Sequence, residues 1–436
     1  MQFFTELGSQ INAEWKIHNY DERSFPEVAC RCLAQKSAHL NVDMREILTW
    51  AVREDALPYQ ADIDAKFGDP PLTVFIGRKF RIDILFWTEG TPSIHQHSFS
   101  GAFQVLRGSS IHSVWDFQPK MRLELRLLLG YVSFKTAELL SAGDVRPIVA
   151  GCGLYHATYH LDRPTISIVA RTILDADSQP QYTLLPPCIA FTNGIPSVTR
   201  QCQLLKMLIS IGDMVGFMRL ALEAVETKDA YTVFQILLTT LNLIEDDEQR
   251  TQLVAALKRA HPSLAEELIS VLWLYKCSNR LLGLYRSTKD AELQFFLALL
   301  RNIPDGRSIR DCVAKRFPRK DPITLITIWI RRLSDLGLLG SPLSEDWHLM
   351  VLCQLMDLSE QQIQATFRSH SELGLLSEGD LLVLSAGVRN SWLLRPLFQS
   401  NARRCGSLPR NPSDCDNIGS NMPTTQQDPH ENTVHS

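Results

Sequence analysis

The strongest constraint on the fold is a change of pattern between residues 72 and 190. Short runs in this segment are rich in β-branched and aromatic residues, and Gly, Pro and Asp separate them. Many short strands with such turns are typical of an antiparallel sandwich or barrel. The predicted strands cover residues 72–76, 80–87, 101–106, 110–117, 123–129, 165–173 and 182–185.

Apolar residues recur at helical spacing on both sides of this β-rich segment. We interpret residues 1–68 as a helical segment and residues 196–401 as an all-helical domain of about ten helices. A chain of 436 residues is long enough for more than one core. The predicted fold class is therefore α+β and multidomain, with an antiparallel β-barrel at 69–195 followed by the helical domain.

Several features of the C-terminal half leave alternatives open. Residues 308–313 and 322–336 fit a helix-turn-helix or one more antiparallel helix pair, and a helical array is compatible although no repeat of fixed period is found. The acidic run at 245–248 is interpreted as a helix start, where negative charge is favoured. Residues 402–436 are polar, with few apolar side chains, so we predict a disordered tail.

Composition narrows the possible partners and the compartment. The net charge of -4 and pI near 6.3 give no reason to expect nucleic acid as a partner. No basic segment followed by a long apolar run opens the chain, and the apolar stretches are shorter than the roughly 20 residues that span a bilayer. Ten scattered cysteines suit a reducing cytoplasm. We predict a cytoplasmic protein without a membrane partner.

A His-x-His pair is the clearest sign of chemistry. His95 and His97 are two residues apart, so both side chains project from one face if the segment is extended. Two neighbours on one strand cannot enclose an ion, and His156, after a glycine-rich turn, is the best candidate for a third ligand. Three neutral imidazoles bind iron, nickel, copper or zinc and leave coordination positions open. The pattern predicts a three-His metal centre.

Two other histidines lie near this pattern. His160 follows His156 by four residues and would face the same side of a strand; it could be a fourth ligand, an acid/base group or a core histidine. His112 lies on the predicted strand at 110–117 and is interpreted as structural. Tyr155 and Tyr159 have the opposite parity to His156, so we expect them to face away from the metal.

The segment around the histidines resembles the cupins. Gly90, His95, His97 and Gly108 follow the first cupin motif, in which a glycine precedes His-x-His and a glutamate and a second glycine follow. Residues 143–156 loosely follow the second motif. The resemblance covers about residues 72–190 of this chain. It implies a cupin-like antiparallel β-barrel of the jelly-roll type.

One departure from the first motif matters. Its glutamate would fall at Gly101 or Ala102, and neither residue can bind a metal. The remaining three-His site resembles that of the thiol dioxygenases, such as cysteine dioxygenase, which implies Fe2+ as the cofactor, although another divalent metal fits the same donors. The resemblance also implies a small-molecule substrate and dioxygen, with both oxygen atoms added to a substrate sulfur.

The resemblance weakens on a later strand, where those enzymes carry a Ser-His-Tyr series at alternate positions. The matching positions are Ser167, Val169 and Arg171, so only the serine is kept. This departure favours a substrate or a cupin reaction different from that of cysteine dioxygenase. Ser167 could hydrogen-bond to the bound ligand. Arg81 and Arg171 would clamp a substrate carboxylate if they point inward, or form surface hydrogen bonds if they point outward.

Two functions of different classes are compatible with these residues. The leading hypothesis is a metal-dependent cupin oxygenase, a non-haem iron dioxygenase acting on a small thiol or carboxylate substrate, with Arg81, Ser167, Arg171 and His160 as catalytic candidates. The alternative is a non-catalytic sensor of a ligand or metal, whose helical domain binds a protein partner or forms a homo-dimer. One barrel fold hosts many chemistries, so the resemblance alone does not separate them.

Overall fold

A computed structural model describes residues 2–54, 57–60, 68–88, 93–173, 181–192, 194–339, 344–370 and 376–398. The chain forms two compact units. Within the described residues, the first unit runs to Pro322 and includes a short segment from Pro396, and the second unit covers Ile323–Arg395. The predicted domain boundary at 195/196 falls inside the first unit, and the domain limits remain predictions. The predicted tail at 402–436 lies outside the described residues.

The first unit opens with four helices that cover one face of a sheet. They bury Phe4, Leu7, Trp15 and Phe25 against apolar residues of that sheet. In each amphipathic helix the apolar residues recur at helical spacing on one face, and that face is the one that packs on the core. These helices are α1 (Gln2–Ile17), α2 (Phe25–Lys36), α3 (Ala38–Asn41) and α4 (Met44–Arg53).

Eleven strands follow within the described residues, and all the pairings among them are antiparallel. The predicted mixture of helices and antiparallel sheet is thus confirmed. The strands are β1 (Pro71–Ile76), β2 (Phe80–Trp87), β3 (Ile94–His95), β4 (Gly101–Arg107), β5 (Ser109–Glu124), β6 (Leu127–Ser141), β7 (Val145–Ile148), β8 (Tyr155–His160), β9 (Thr165–Thr172), β10 (Thr183–Leu185) and β11 (Ile189–Phe191).

The predicted strand at 123–129 is wrong, because this segment contains the turn of the long β5–β6 hairpin. Glu124 pairs with Leu127 there, so the chain reverses across Leu125 and Arg126. The prediction also omits 130–141, which forms most of β6. Lys135, Ala137 and Glu138 favour strands weakly, and pairing with β5 overrides that preference.

The strands form two sheets. A five-stranded sheet has the order β1-β2-β9-β4-β7, and we call it the first sheet. The second sheet has the order β10-β11-β6-β5-β8-β3, and its ladder closes because the short strand β3 pairs with both β8 and β10. The N-terminal helices cover the outer face of the first sheet.

The inner face of the first sheet meets the second sheet across an apolar cluster. Leu85, Phe103 and Val169 come from the first sheet, and Leu140 comes from the second. The alternation of side chains along each strand places the other face of the same strands, including Ile84 and Ile168, against the helices. The space between the sheets is therefore the interior in which a site can form.

The remaining helices of the first unit are α5 (Pro196–Ser210), α6 (Met214–Thr227), α7 (Ala230–Thr240), α8 (Asp247–Ala260), α9 (Pro262–Ser287), α10 (Ala291–Asn302), α11 (Gly306–Arg316) and, from its second residue, α16 (Arg395–Phe398). Aspartates cap several of these helices; Asp246 accepts from the backbone N–H of Gln249 at 2.8 Å, as expected for the acidic run at 245–248. Leu129, Ile189 and Phe191 share a core with α5 to α9.

The second unit is helical in the part of the chain that is described. It contains α12 (Pro322–Asp335) from its second residue, α13 (Glu345–Leu355), α14 (Glu360–Ser369) and α15 (Glu378–Asn390). Gln354 of α13 donates to the backbone and side-chain oxygens of Ser385 in α15, both at 3.0 Å. Among the described helices of both units, none is both long and apolar enough to cross a bilayer.

Candidate metal centre

Neighbouring backbone segments bring the three predicted histidines together. His95 in β3 pairs directly with His156 in β8, so the two residues are opposite each other in the ladder. His97 follows β3 and forms an isolated bridge with Ala150, and the backbone N–H of Gly151 donates to the carbonyl of His97 at 2.8 Å. The turn at 150–151 thus holds the end of the His-x-His pair beside β8.

The three imidazoles are close enough to share one cation. Each offers a ring nitrogen within 4.8 Å of the other two. The Nε2 atoms of His97 and His156 are 2.7 Å apart. Metal–nitrogen bonds of about 2.1 Å place neighbouring nitrogens about 3 Å apart in octahedral geometry and about 3.4 Å apart in tetrahedral geometry. Small side-chain rotations would therefore bring the three donors to bonding distance, and the donor set fits a borderline divalent metal.

Burial favours the neutral form that binds a metal. His97 and His156 are buried, whereas His95 is partly exposed. Burial lowers the pKa of His97 and of His156 well below the ordinary histidine value. Burial also lowers the pKa of His95, although a hydrogen bond to Ser93 opposes it. The cluster is therefore a set of neutral imidazoles that is reached from the side of His95.

A backbone contact fixes the tautomer of His95. Its Nδ1 lies 2.8 Å from the carbonyl oxygen of Ser93. Because a carbonyl oxygen only accepts, Nδ1 carries the proton, and Nε2 of neutral His95 keeps its lone pair. This is the arrangement that a metal-binding histidine needs.

Residues that the sequence analysis did not assign to the site extend it behind His156. His112 lies with its Nε2 3.0 Å from Nδ1 of His156, and its own Nδ1 is 3.1 Å from Oε1 of Glu138. Arg146 donates from Nε to the same Oε1 at 2.6 Å and from Nη2 to Oε2. His112 and Glu138 are opposite each other in the β5–β6 ladder. That register could not be read from the sequence, so the structural interpretation of His112 missed this contact.

The structure explains why the motif's glutamate has no counterpart. A Cβ at Gly101 would lie 2.2 Å from the carbonyl oxygen of Ala170 in β9. Ala102 is buried in the core beneath the N-terminal helices, on the other face of β4. Neither position has room for an inward carboxylate. Gly108 has a φ of +83°, which favours glycine, and Gly90 lies outside the described residues.

Arg81 and Arg171 point inward and converge on one carboxylate. Each donates from Nε to Oδ2 of Asp83 at 2.9 Å, and Thr73 donates to Oδ1 at 2.8 Å. The Arg171 guanidinium also lies over the ring of Phe99, 4.7 Å from its centroid. Phe99 in turn packs on His97, with ring centroids 4.5 Å apart. Arg171 is thus linked to the histidine cluster through a single aromatic ring.

Ser167 and His160 lie in a separate contact group. Trp87 donates from Nε1 to the Ser167 hydroxyl at 3.0 Å, and its ring stacks on His160 at a centroid distance of 4.5 Å. Nδ1 of His160 is 2.9 Å from the hydroxyl of Ser110. Burial lowers the pKa of His160 to about 3, which makes it a poor general acid near neutral pH. The metal-competent group found among the described residues does not include His160.

Tyr155 and Tyr159 do face away from the cluster. Tyr159 packs against Tyr285 of α9 with ring centroids 6.0 Å apart, and Arg301 of α10 lies over its ring. Tyr155 lies against Phe117 in a separate apolar group. The alternation of β8 is thus as the sequence predicts, with the tyrosines on the face of the strand opposite to the histidines.

No protein-family model and no curated protein matches this sequence. Three solved structures show partial likeness. The DMSP lyase DddQ from Ruegeria pomeroyi DSS-3 is 16% identical, with a TM-score of 0.19 over 33% of this chain and 74% of that one. CapF with the inhibitor 3-isopropenyl-tropolone is 13% identical, with a TM-score of 0.20 over 35% and 46%. The capsular polysaccharide assembling protein CapF from Staphylococcus aureus is 12% identical, with a TM-score of 0.19 over 38% and 44%.

These likenesses cover about a third of this chain and less than half of each CapF chain, and no function follows from them. The fold and the site on their own define a class. The chain carries two antiparallel sheets with a buried three-histidine cluster that could hold a metal ion, flanked by helices.

Proposed function

We propose that this chain is a cupin-type metal protein and that His95, His97 and His156 hold one divalent ion. The observation that carries this proposal is the convergence of three neutral imidazoles in one buried cluster, two of them with Nε2 atoms 2.7 Å apart. A shared cation would accept a nitrogen lone pair from each of the three side chains.

The arrangement of strands supports the cupin part of the proposal. Two antiparallel sheets enclose the cluster, and the His-x-His pair and His156 lie on paired segments of one sheet. A jelly-roll barrel is made of two such sheets. The missing motif glutamate restricts the ligand set to histidines, because the backbone of β9 crowds position 101.

We further propose that the ion is Fe2+ and that the protein is an oxygenase for a small thiol or carboxylate substrate. When bound at three imidazoles, such an ion supplies open coordination positions for a substrate and dioxygen. The residues of this chain would orient the substrate and exclude water from the site. Phe99 and Phe103 pack on the histidines and exclude water from that side.

Arg171 is the residue that we propose to bind a substrate carboxylate. Its guanidinium lies over Phe99, which contacts His97, so an anion held there would lie near the cluster. A planar guanidinium matches a carboxylate through paired donors. Arg81 shares Asp83 with it and would hold the geometry of Arg171.

Oxygen consumption by the iron-loaded protein tests this function. The probes are a thiol that carries a carboxylate and the same thiol without it. We expect uptake with the first that vanishes in His97→Ala and falls at least tenfold in kcat/KM in Arg171→Met, with Arg171→Lys between them. Equal turnover of both thiols would contradict the role of Arg171. Absence of uptake with any small thiol or acid would contradict the oxygenase.

One observation favours the sensor as a second candidate. Leu204 and Met207 are exposed along α5, Ile211 is exposed directly after it, and Val215 is exposed at the start of α6. Exposed apolar rows of this kind bind protein partners. A protein that binds metal tightly, consumes no oxygen and changes its oligomeric state or partner binding on metal loading would support the sensor over the enzyme.

A further inference from the structure

A continuous chain of side chains leads from the histidine cluster to two partly exposed charged residues. It runs from His156 to His112, from His112 to Glu138, and from Glu138 to Arg146. His112 and His156 are buried, while Glu138 and Arg146 are about one-third exposed. We call His112, Glu138 and Arg146 the anchor chain. It begins at a proposed ligand and ends where two charged groups neutralise each other.

The charge of the anchor chain sets the direction of its hydrogen bonds. Burial on its own would raise the pKa of Glu138, but hydrogen bonds from Arg146 and His112 outweigh it and lower the pKa to about 2. Glu138 is therefore an ionised acceptor near neutral pH. An ionised carboxylate cannot donate, so Nδ1 of His112 must carry the proton that it shares with Glu138.

The same logic passes from His112 to His156. The tautomer of His112 with its proton on Nδ1 presents a lone pair at Nε2, which lies 3.0 Å from Nδ1 of His156. In this arrangement Nδ1 of His156 donates to His112, and the lone pair of His156 lies on Nε2. That atom is the one that lies 2.7 Å from Nε2 of His97. The anchor chain thus selects the tautomer in which His156 directs its lone pair into the cluster.

Packing holds the two rings in this orientation. Phe103 of the first sheet packs on both histidines of the second, 5.8 Å from His112 and 6.2 Å from His156 between ring centroids. The planes of His112 and His156 are nearly perpendicular, at 83°. A rotation of either ring would break a hydrogen bond and press on Phe103.

We propose that His112, oriented by Glu138 and Arg146, is a positioning residue that fixes the tautomer and orientation of His156 for metal binding. This inference rests on the proposed metal function of the same site. Histidine ligands whose second nitrogen donates to a fixed acceptor bind more strongly, and removal of that acceptor costs 10–100-fold in affinity. The acceptor here is a second histidine in place of the more usual carboxylate or carbonyl.

The test uses the full chain with four variants. His112→Leu removes the acceptor, and His112→Gln restores it, because the amide oxygen accepts from His156 while the amide N–H donates to Glu138. Glu138→Gln keeps the shape but lets the side chain donate as well as accept. Asp116→Asn is the matched control; Asp116 forms an ion pair with Lys135 across the same β5–β6 ladder, away from the histidines.

Two readouts are combined. The first is the 15N shift of the His156 ring in metal-free protein, which reports the tautomer. The second is affinity for Co2+ and for Zn2+ by competition with a chelator. We expect Nδ1–H at His156 in the wild type and in His112→Gln, and a mixture in Glu138→Gln. Affinity should fall about 10–100-fold in His112→Leu and about threefold to tenfold in Glu138→Gln, and stay at the wild-type value in Asp116→Asn.

The outcomes distinguish the positioning role of His112 from the presence of the metal site. Wild-type affinity in both His112→Leu and Glu138→Gln, or a proton on Nε2 of His156 in the wild type, would overturn the positioning role and leave the metal site standing. A wild type that binds neither Co2+ nor Zn2+ would overturn both. If His112→Leu fails to fold, Glu138→Gln carries the test, since a merely structural role for Glu138 would leave the His156 tautomer unchanged.

Discussion

Two histidines on one face of β8 have opposite environments. His156 meets His97 and His112, and its ring nitrogens are both engaged by other imidazoles. His160, four residues further on, stacks on Trp87 and contacts a serine hydroxyl. The strand presents both in the same direction. The difference comes from what lies opposite, so a histidine's role is set by its partners across the sheets rather than by its place on the strand.

The first prediction compares how variants of His156 and of His160 change the affinity for Co2+. His156→Ala removes a proposed ligand, so affinity for Co2+ should fall at least about 100-fold, because two imidazoles on one segment cannot enclose the ion. His160→Gln should leave affinity within about threefold, since Gln can still bond to Ser110. Chelator competition measures both. A comparable loss in the two variants would mean that His160 belongs to the metal centre.

A second prediction concerns the place from which the motif's carboxylate is missing. Gly101→Ala should destabilise the fold by about 2–3 kcal/mol, because its Cβ would lie 2.2 Å from the Ala170 carbonyl oxygen. Chemical denaturation measures the change. Gly283→Ala in α9 is the control, since nothing lies within 4 Å of its added Cβ, and it should be neutral or stabilising. Unchanged stability of Gly101→Ala would mean that a fourth ligand could be accommodated there.

A third prediction concerns the stability of the fold at acidic pH, to which His160 contributes. Burial lowers the pKa of His160 to about 3, while the unfolded chain takes up the proton near the ordinary value of about 6.5. The unfolded state therefore binds more protons between these values, and stability falls as the pH drops from about 6.5 to about 3. In this window His160→Gln should lose stability less steeply than wild type, by at most about 1.4 kcal/mol per pH unit. Parallel curves would show that folding does not lower the pKa of His160.

The smallest expected effect is at Ser167. Ser167→Ala removes the acceptor of the Trp87 indole N–H and should cost about 1 kcal/mol, with metal affinity unchanged. Thermal unfolding and a Co2+ titration measure the two quantities. Loss of Co2+ binding in this variant would show that the His160 end of the interior and the metal end are coupled, which would weaken the contrast between His156 and His160.

The spacing of the histidines in the sequence predicted most of the histidine cluster. His95 and His97 are two residues apart, and the glycine-rich turn before His156 marks where the chain re-enters the sheet, so local pattern identified the candidates; the pairing of His95 with His156 is a long-range contact. The anchor chain could not be predicted in this way. Its members meet through the register of a long hairpin and a contact between β6 and β7, and no local signal reports that Glu138 is opposite His112.

Helices were likewise easier to predict from local sequence than strands were. The acidic run before α8 marked a real helix start, because capping is a local interaction. In the β5–β6 hairpin, the turn at Leu125 and Arg126 lacks glycine and proline, and apolar residues on both sides made it look like a strand. Long-range pairing decided the structure there, and the sequence pattern alone did not contain it.

Metal stoichiometry of the full chain tests the central claim most directly. Protein purified without oxygen is titrated with Co2+ and with Fe2+, beside the His95→Ala/His97→Ala double variant, and metal content is measured by elemental analysis after desalting. We expect about one equivalent in the wild type, none in the double variant and the same helical circular dichroism in both. Full occupancy in the double variant, or no binding by the wild type, would contradict the three-histidine metal centre.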